Sequence, residues 1–172
     1  MRQSLTLETE RLILQPVKME DAEFILELYN SPNFIKFIGD RNLRTVEDAE
    51  NYIKEKFLPH VEKHGFGSYV IVTKSDTKKI GNVGIYVRDG LDAPDIGFSF
   101  LPEFERKGYG FEASKKLMEI AISEFALKKI SAITTKENIA SQKLIEKLGL
   151  KYRSIVQLPD DPEDLLYYET EN

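Results

Sequence analysis

Cysteine is absent from the 172 residues, which excludes disulfides, thiolate metal sites and a cysteine nucleophile. A basic excess is absent too. The chain has 24 Lys and Arg against 29 Asp and Glu, a net charge of −5, whereas a dedicated nucleic-acid-binding domain is basic. No apolar run approaches the roughly 18 residues of a bilayer-spanning helix. Met1–Glu10 alternates polar and apolar residues and lacks the apolar stretch of a secretory signal. No internal repeat, low-complexity tract or composition shift marks a linker. What is present suits a globular chain: 41% hydrophobic and 31% charged residues can bury a core. The expectation is one cytoplasmic domain over residues 1–172, with neither a nucleic acid nor a membrane as partner.

The apolar period changes several times along the chain. Arg11–Val17 reads as a strand closing near Pro16. Ala22, Phe24, Ile25, Leu28 and Tyr29 recur at helical spacing and stop at Asn30-Ser31-Pro32. Thr45, with Asp48 three residues on, caps a second helix bearing Val46, Ala49, Tyr52, Ile53 and Phe57. Ser68–Thr73, Ile80–Val87 and Asp95–Leu101 are strand runs joined by short polar turns, as in an antiparallel meander. From Gly108 to about Leu127, Ala113, Leu117, Ile120, Ala121 and Phe125 form one helix face. Ile130–Thr135 follows as a strand, so strand, long helix and strand make a crossover and one parallel pair. Asn138 caps a last helix that Gly149 ends. Leu150–Leu158 and Leu165–Glu169 are further strands around an acidic turn. The sum predicts a mixed α/β sheet of about six to seven strands with about four flanking helices. Its first half is antiparallel and its centre holds the parallel pair.

The stretch Ile96–Ala113 carries the chemistry. A strand runs into a loop with Glu105, Arg106, Lys107, Gly108 and Gly110, and the loop opens an amphipathic helix. The free N–H groups and positive dipole end of a helix start can hold a phosphate. Glycine lets the backbone come close to a bulky anion. A bare pair of turn glycines would be an ordinary strand-to-helix loop. Gly108–Ala113 also matches the dinucleotide pattern G-x-G-x-x-A, but Pro102–Lys107 intervene after the strand and no acidic residue ends the next strand about 20 residues on.

The segment instead resembles motif A of the GNAT N-acetyltransferases, whose loop runs Q/R-x-x-G-x-G/A. The chain is similar to the branch typified by ribosomal-protein N-acetyltransferases over nearly its full length. The similarity lies in Leu7-Glu8-Thr9-Glu10-Arg11-Leu12-Ile13-Leu14, in Ile96-Gly97-Phe98, in Asn138-x-x-Ser141 and in Glu146-Lys147-Leu148-Gly149-Leu150. Glu105 departs from the pattern, which has Gln or Arg at its place; its side chain either weakens the phosphate grip or points to solvent.

The resemblance implies acetyl-CoA as co-substrate, no metal, and a primary amine as acceptor. The pyrophosphate would sit on the amides of Glu105, Arg106, Lys107, Gly108, Tyr109 and Gly110. Backbone groups of Phe100 and Leu101 would line the pantetheine arm, and one N–H would meet the thioester oxygen. Ile145 stands where many members place an acidic tyrosine, which leaves Ser141 as the alternative acid. Asn138 is a helix cap, with a cofactor contact as the added reading. Asp95 is the candidate base, acting through water, against the plainer account of a solvated hairpin carboxylate; Glu103 is a weaker candidate. Without cysteine, and with Ser99 lacking the second glycine of a nucleophile elbow, direct attack in a ternary complex is the simplest route. The acceptor expected from the resemblance is a protein N-terminal amine. A polyamine or other small amine is the runner-up, and an acyl-CoA-binding module without turnover is the rival. Either a monomer or a homodimer is compatible with the sequence.

Other features read as bland. His60 and His64 stand four apart, but no H-E-x-x-H is present, and a frayed polar helix end accounts for them better than a metal site. Asp160, Asp161, Glu163 and Asp164 suit a solvated turn; steering of a cationic substrate is the alternative. Phe34, Phe37, Tyr167 and Tyr168 fit either an acceptor pocket or the core.

Overall fold

The computed structural model describes residues 5–171, so the start of the amino-terminal segment read above for a leader lies outside the described residues. The strands are β1 (Leu7–Glu8), β2 (Leu12–Pro16), β3 (Ser68–Thr73), β4 (Lys79–Tyr86), β5 (Asp95–Phe100), β6 (Ser131–Thr134), β7 (Lys151–Val156) and β8 (Leu165–Glu169). They form one sheet in the order β1-β2-β3-β4-β5-β6-β8-β7. Every neighbouring pair is antiparallel except β5 and β6. The mixed α/β sheet with a central parallel pair is therefore as predicted. Its strands number eight because the two residues of β1 are too short to show a period.

The helices are α1 (Ala22–Tyr29), α2 (Pro32–Phe37), α3 (Val46–Tyr52), α4 (Leu58–His64), α5 (Tyr109–Ser123) and α6 (Ile139–Lys147). Two differences from the sequence reading come from proline. The first helix does stop at Asn30-Ser31-Pro32, but Pro32 then opens a further helix, α2, as its first residue, where its missing N–H has no partner to lose. The predicted second helix divides at Ile53–Phe57, a π turn in which the Leu58 N–H bonds the Ile53 carbonyl. Pro59 has no N–H for the Glu55 carbonyl and its ring would collide with it in a regular helix. The wider turn carries the chain past that obstacle.

Side chains that alternate along the strands feed two apolar layers. Tyr69, Ile71, Val83, Ile85 and Ile96 face Ala113, Leu117 and Ala121 of α5 and Ile145 of α6. Val70 and Val72 join Leu101, Ile25 and Leu28 of α1, Ala49 of α3, and Ile53 and Phe57 on the other side. Each large apolar side chain so buried contributes about 1.5–3 kcal/mol. Among the described residues no helix is long and apolar enough to cross a membrane.

The parallel pair is incomplete. Its register holds one pair, Asp95 with Ser131, beside a hydrogen bond from the Ser131 N–H to the Pro94 carbonyl at 2.8 Å. Beyond it β6 is paired with β8 alone, so β5 and β6 part toward the ends from which α5 and α6 begin.

Candidate active site

The loop after β5 is built by a short turn and two left-handed residues. Pro102–Phe104 forms a single tight turn that takes the Phe104 N–H to Leu101 O at 2.9 Å and the Glu105 N–H to Pro102 O at 3.2 Å. Arg106 (φ 61°) and Gly108 (φ 82°) then adopt left-handed backbone, which turns nearby amides to one side. The next amide with a main-chain acceptor outside the helix is that of Glu112, on Gly108 O at 3.1 Å. Between them, the N–H groups of Arg106, Lys107, Gly108, Tyr109, Gly110 and Phe111 donate to no acceptor among the described residues. That row, at the positive end of a 15-residue helix and beside the exposed Arg106 and Lys107 side chains, is an anion cradle able to hold a diphosphate. It lies one residue further on than expected, because the tight turn occupies the amide of Glu105.

The Glu105 side chain does not point free into solvent. Both of its oxygens accept from Asn33 Nδ2, at 2.9 and 3.0 Å, which ties the loop to α2. A Cβ on Gly110 would stand 2.9 Å from Leu144 Cδ2 and 3.4 Å from Phe100 Cε1, so the first turn of α5 lies close against α6 and the end of β5. A glycine there lets that approach occur without moving the Leu144 side chain.

The open edge of β5 also differs by one residue from expectation. Leu101 donates its N–H to Ile80 O at 2.9 Å and buries its side chain, so its amide is not available. With Gly81 opposite Phe100, the alternation of an antiparallel ladder turns the main-chain groups of Phe98 and Phe100 away from β4, toward the gap. Of the two residues expected at the arm, Phe100 turns its main chain to the gap and Leu101 does not, while Phe98 does. Phase along the strand, which only the β4 pairing fixes, was the missing signal.

At the start of α6, Asn138 Oδ1 accepts the Ser141 N–H at 3.2 Å, a helix cap. Ser141 stands one turn before Ile145, which is 1% exposed, and residues four apart share a helix face. The half-buried Ser141 hydroxyl thus lies on the inward face at the helix mouth, with no hydrogen-bond partner among the described residues.

Asp95 is elsewhere. It sits at the paired end of β5, five residues from Phe100 and roughly 17 Å away at strand spacing. Its side chain is 1% exposed and is held by Arg88 Nε at 2.7 Å. The solvated hairpin carboxylate is thereby corrected to a buried ion pair. Burial pushes its carboxyl up, and the Arg88 guanidinium only partly opposes this. The structure does not bring Asp95 to the loop, and Glu103 is exposed in the tight turn.

On the face opposite α5, a cavity of about 220 Å³ opens beside β5, with Tyr29, Phe34, Tyr52, Asn82, Tyr86 and Ser99 among its walls. A polar chain runs along its floor. Ser99 Oγ donates to Asn82 Oδ1 at 2.6 Å, and Asn82 Nδ2 donates to Ser68 Oγ at 3.1 Å and more weakly to Tyr29 Oη at 3.4 Å. Tyr86 Oη donates to Ser68 Oγ at 3.1 Å. Burial pushes the Tyr86 hydroxyl up to about 12 and that of Tyr29 well above its ordinary value. Both hydroxyls stay protonated at neutral pH, and that of Tyr86 is the donor to Ser68. The sequence reading singled out Phe34, which does line this cavity. It missed Asn82, a polar residue in an apolar strand, which was the one available cue. Tyr168 belongs to the core under α5, while Tyr167 Oη donates to Glu169 Oε2 at 2.7 Å in β8.

His60 is no frayed helix end. Its Nδ1 lies 2.9 Å from Phe66 O, and its Nε2 accepts the Val87 N–H at 2.9 Å. These partners require the neutral ring with the proton on Nδ1, and burial pulls its pKa down. No group of three or more His, Asp or Glu suited to a metal occurs among the described residues.

The sequence profile of the acetyltransferase (GNAT) domain matches residues 11–151. YjdG of Bacillus subtilis (strain 168), named as an uncharacterized N-acetyltransferase, is 32% identical over 157 residues, covering 83% of this chain and 88% of that protein. The crystal structure of an acetyltransferase from Agrobacterium tumefaciens str. C58 superposes with a TM-score of 0.81 at 24% identity, over 98% of this chain and 95% of that one. RimL, a ribosomal L7/L12 alpha-N-protein acetyltransferase solved with coenzyme A, does so with a TM-score of 0.81 at 12% identity, over 96% and 97%. At these identities the two structures speak for the fold alone. The profile spans the open-amide loop, the gap between β5 and β6 and both flanking helices, and on that match the chain belongs to the GNAT acetyltransferases.

Proposed function

We propose that the protein transfers an acetyl group from acetyl-CoA to a primary amine, with a protein N-terminus as the first candidate acceptor. The observation that carries this is the row of unpartnered amides from Arg106 to Phe111, beside the unpaired edge of β5 and backed by a separate cavity. One side can grip a diphosphate-bearing thioester and the other can admit an amine. The amides of Arg106 to Phe111 hold the diphosphate, and the main chain of Phe98 and Phe100 aligns the pantetheine arm as an added strand would. A main-chain N–H at that edge polarises the thioester carbonyl.

The neutral amine attacks the carbonyl carbon and the C–S bond breaks. The thiolate takes its proton from the Ser141 hydroxyl, which is restored by the proton that the newly acylated nitrogen gives up. No carboxylate lines the cavity, and His60 Nε2 is already an acceptor for Val87. The ammonium form therefore sheds its extra proton to water at the mouth before attack, and turnover climbs with pH toward the pKa of the amine. A cytoplasmic setting and a monomer or homodimer belong to the same reading.

Release of free CoA with a panel of amines tests it. Amine-dependent release supports transfer. Saturable acetyl-CoA binding without release would leave a binding module instead. Ser141→Ala should lower kcat about tenfold or more with acetyl-CoA affinity nearly intact; unchanged kcat removes Ser141 from the reaction.

A further inference from the structure

The walls of the cavity carry charge of one sign. Arg41, Lys56 and Arg88 line it, and no Asp or Glu does. Arg88 is neutralised from behind by Asp95, at 2.7 Å. Arg41 and Lys56 have no carboxylate partner among the described residues. The carboxylate next to Arg41 in sequence, Asp40, is held by Arg44 at 2.6 Å. The Arg41 guanidinium stands 5.9 Å from the centre of the Phe34 ring and spends one weak bond of 3.4 Å on Ile38 O, which leaves most of its donors free.

Lys56 reaches the cavity through the local winding. It lies in the π turn before Pro59, and Tyr52, Phe57 and His60 around it line the same wall. A π turn widens the helix by one residue and re-aims side chains at such positions. The aromatic rings of Tyr29, Phe34 and Tyr52 line the same cavity as the two cations and the polar floor, with Tyr29 and Phe34 stacked at 4.0 Å. A ligand that matches all three kinds of wall has an amine for the Ser99–Asn82 floor, an apolar body for the rings and a negative group for Arg41 and Lys56.

We infer that the acceptor is a primary amine carrying a carboxylate, and that Arg41 and Lys56 select it; this rests on the acetyl-transfer reading above. A polycation is disfavoured, since it would meet two unpaired positive charges on its way in. Two sources share the favoured chemistry, a free amino acid with an apolar side chain and a peptide N-terminus with acidic residues close behind it. The cavity volume of about 220 Å³ suits one residue-sized group in either case.

The test compares matched acceptors in the CoA-release assay: leucine with leucinamide, an N-terminal tetrapeptide bearing two aspartates with its asparagine counterpart, and spermidine. The expected result is a kcat/KM at least tenfold higher for the acid of a pair, shrinking as salt is raised. The source is the pair with the larger gap. In the double variant Arg41→Gln with Lys56→Gln the acid-to-amide ratio should fall to about one, and Arg41→Glu should shift preference toward spermidine. Equal turnover of acid and amide by the wild type, or spermidine as best acceptor, overturns the inference and leaves acetyl transfer standing. Should no amine release CoA, the transfer reading fails. Calorimetry with leucine and leucinamide then decides the inference alone: saturable binding of the acid only supports it, and equal or absent binding overturns it.

Discussion

Arg11 Nε lies 2.7 Å from Glu112 Oε1, joining the head of β2 to the first turn of α5. The second oxygen of Glu112 accepts the Arg11 N–H at 2.9 Å and the Thr9 hydroxyl at 2.5 Å. The same guanidinium covers the Tyr109 ring at 4.3 Å, and a Cβ at Gly108 would stand 3.3 Å from its Nη2. One carboxylate therefore fixes a cation and a turn beside the open amides. Burial pushes the Glu112 carboxyl up, but the bonds from Thr9 and Arg11 outweigh it and hold its pKa below the ordinary value of 4.5. Glu112→Gln should lower stability by about 2 kcal/mol at pH 7 and weaken CoA binding several-fold. A lowered folded pKa gives stability that is present above 4.5 and lost as acid carries the pH down through the folded value. The gap between wild type and variant in urea midpoint should thus shrink between pH 5 and pH 3.

Gly110 separates a steric effect from an electrostatic one. In Gly110→Ala the new methyl meets the end of the Leu144 side chain, 2.9 Å away and able to swing aside. A loss of about 1 kcal/mol in stability is expected, with CoA affinity within a few-fold. Gly110→Asp adds a negative charge amid the cradle and should abolish CoA binding by calorimetry. A folded Gly110→Asp protein that binds CoA normally would show that the diphosphate lies elsewhere.

The parts of the fold visible in the sequence were those that repeat over a full strand or several helical turns. β2 to β6, α5 and the Thr45–Asp48 capping box each show their own period or cap, so propensity and burial agreed. Pro32 and Pro59 were opaque because proline both starts and interrupts helices, and only the packing decides which. The loop of unpartnered amides was legible since those amides are local to one stretch of chain. The cavity was not, as Tyr29, Tyr52, Asn82 and Ser99 come from four elements that meet only after β4 and β5 pair. Asp95 misled for a related reason: its partner Arg88 sits seven residues away across a turn, and burial cannot be read from a hairpin sequence.

His60 should make stability depend on pH in the mild acid range. Its folded pKa is lowered below 6.5, first by burial, while His64, Arg88 and Lys63 also oppose a positive charge and the Phe66 carbonyl favours one. Protonation would add a hydrogen at Nε2, where the Val87 N–H already points. The unfolded chain takes up the proton first, so stability is full above 6.5 and falls as pH drops through that value. The urea midpoint should be lower at pH 5.5 than at pH 7.5. In His60→Gln most of that slope should vanish, and an unchanged slope would assign it to another group.

The ion pair of Arg88 and Asp95 predicts an asymmetry between its two halves. The Asp95 side chain is 1% exposed and that of Arg88 36%, so removing one leaves a different remainder. Arg88→Met strands a carboxylate inside the protein and should cost about 3 kcal/mol. Asp95→Asn leaves an arginine that can turn to solvent, and it removes a group whose raised pKa makes its ionised form costly at neutral pH. That cost fades as the pH falls toward 3.8, so Asp95→Asn should change stability by no more than about 1 kcal/mol at pH 7. The same variant bears on the chemistry. With Asp95 at the closed end of the gap, Asp95→Asn should keep kcat within about twofold and leave the pH profile of turnover following the amine. A hundredfold fall in kcat in a folded Asp95→Asn protein would instead restore this carboxylate as the base.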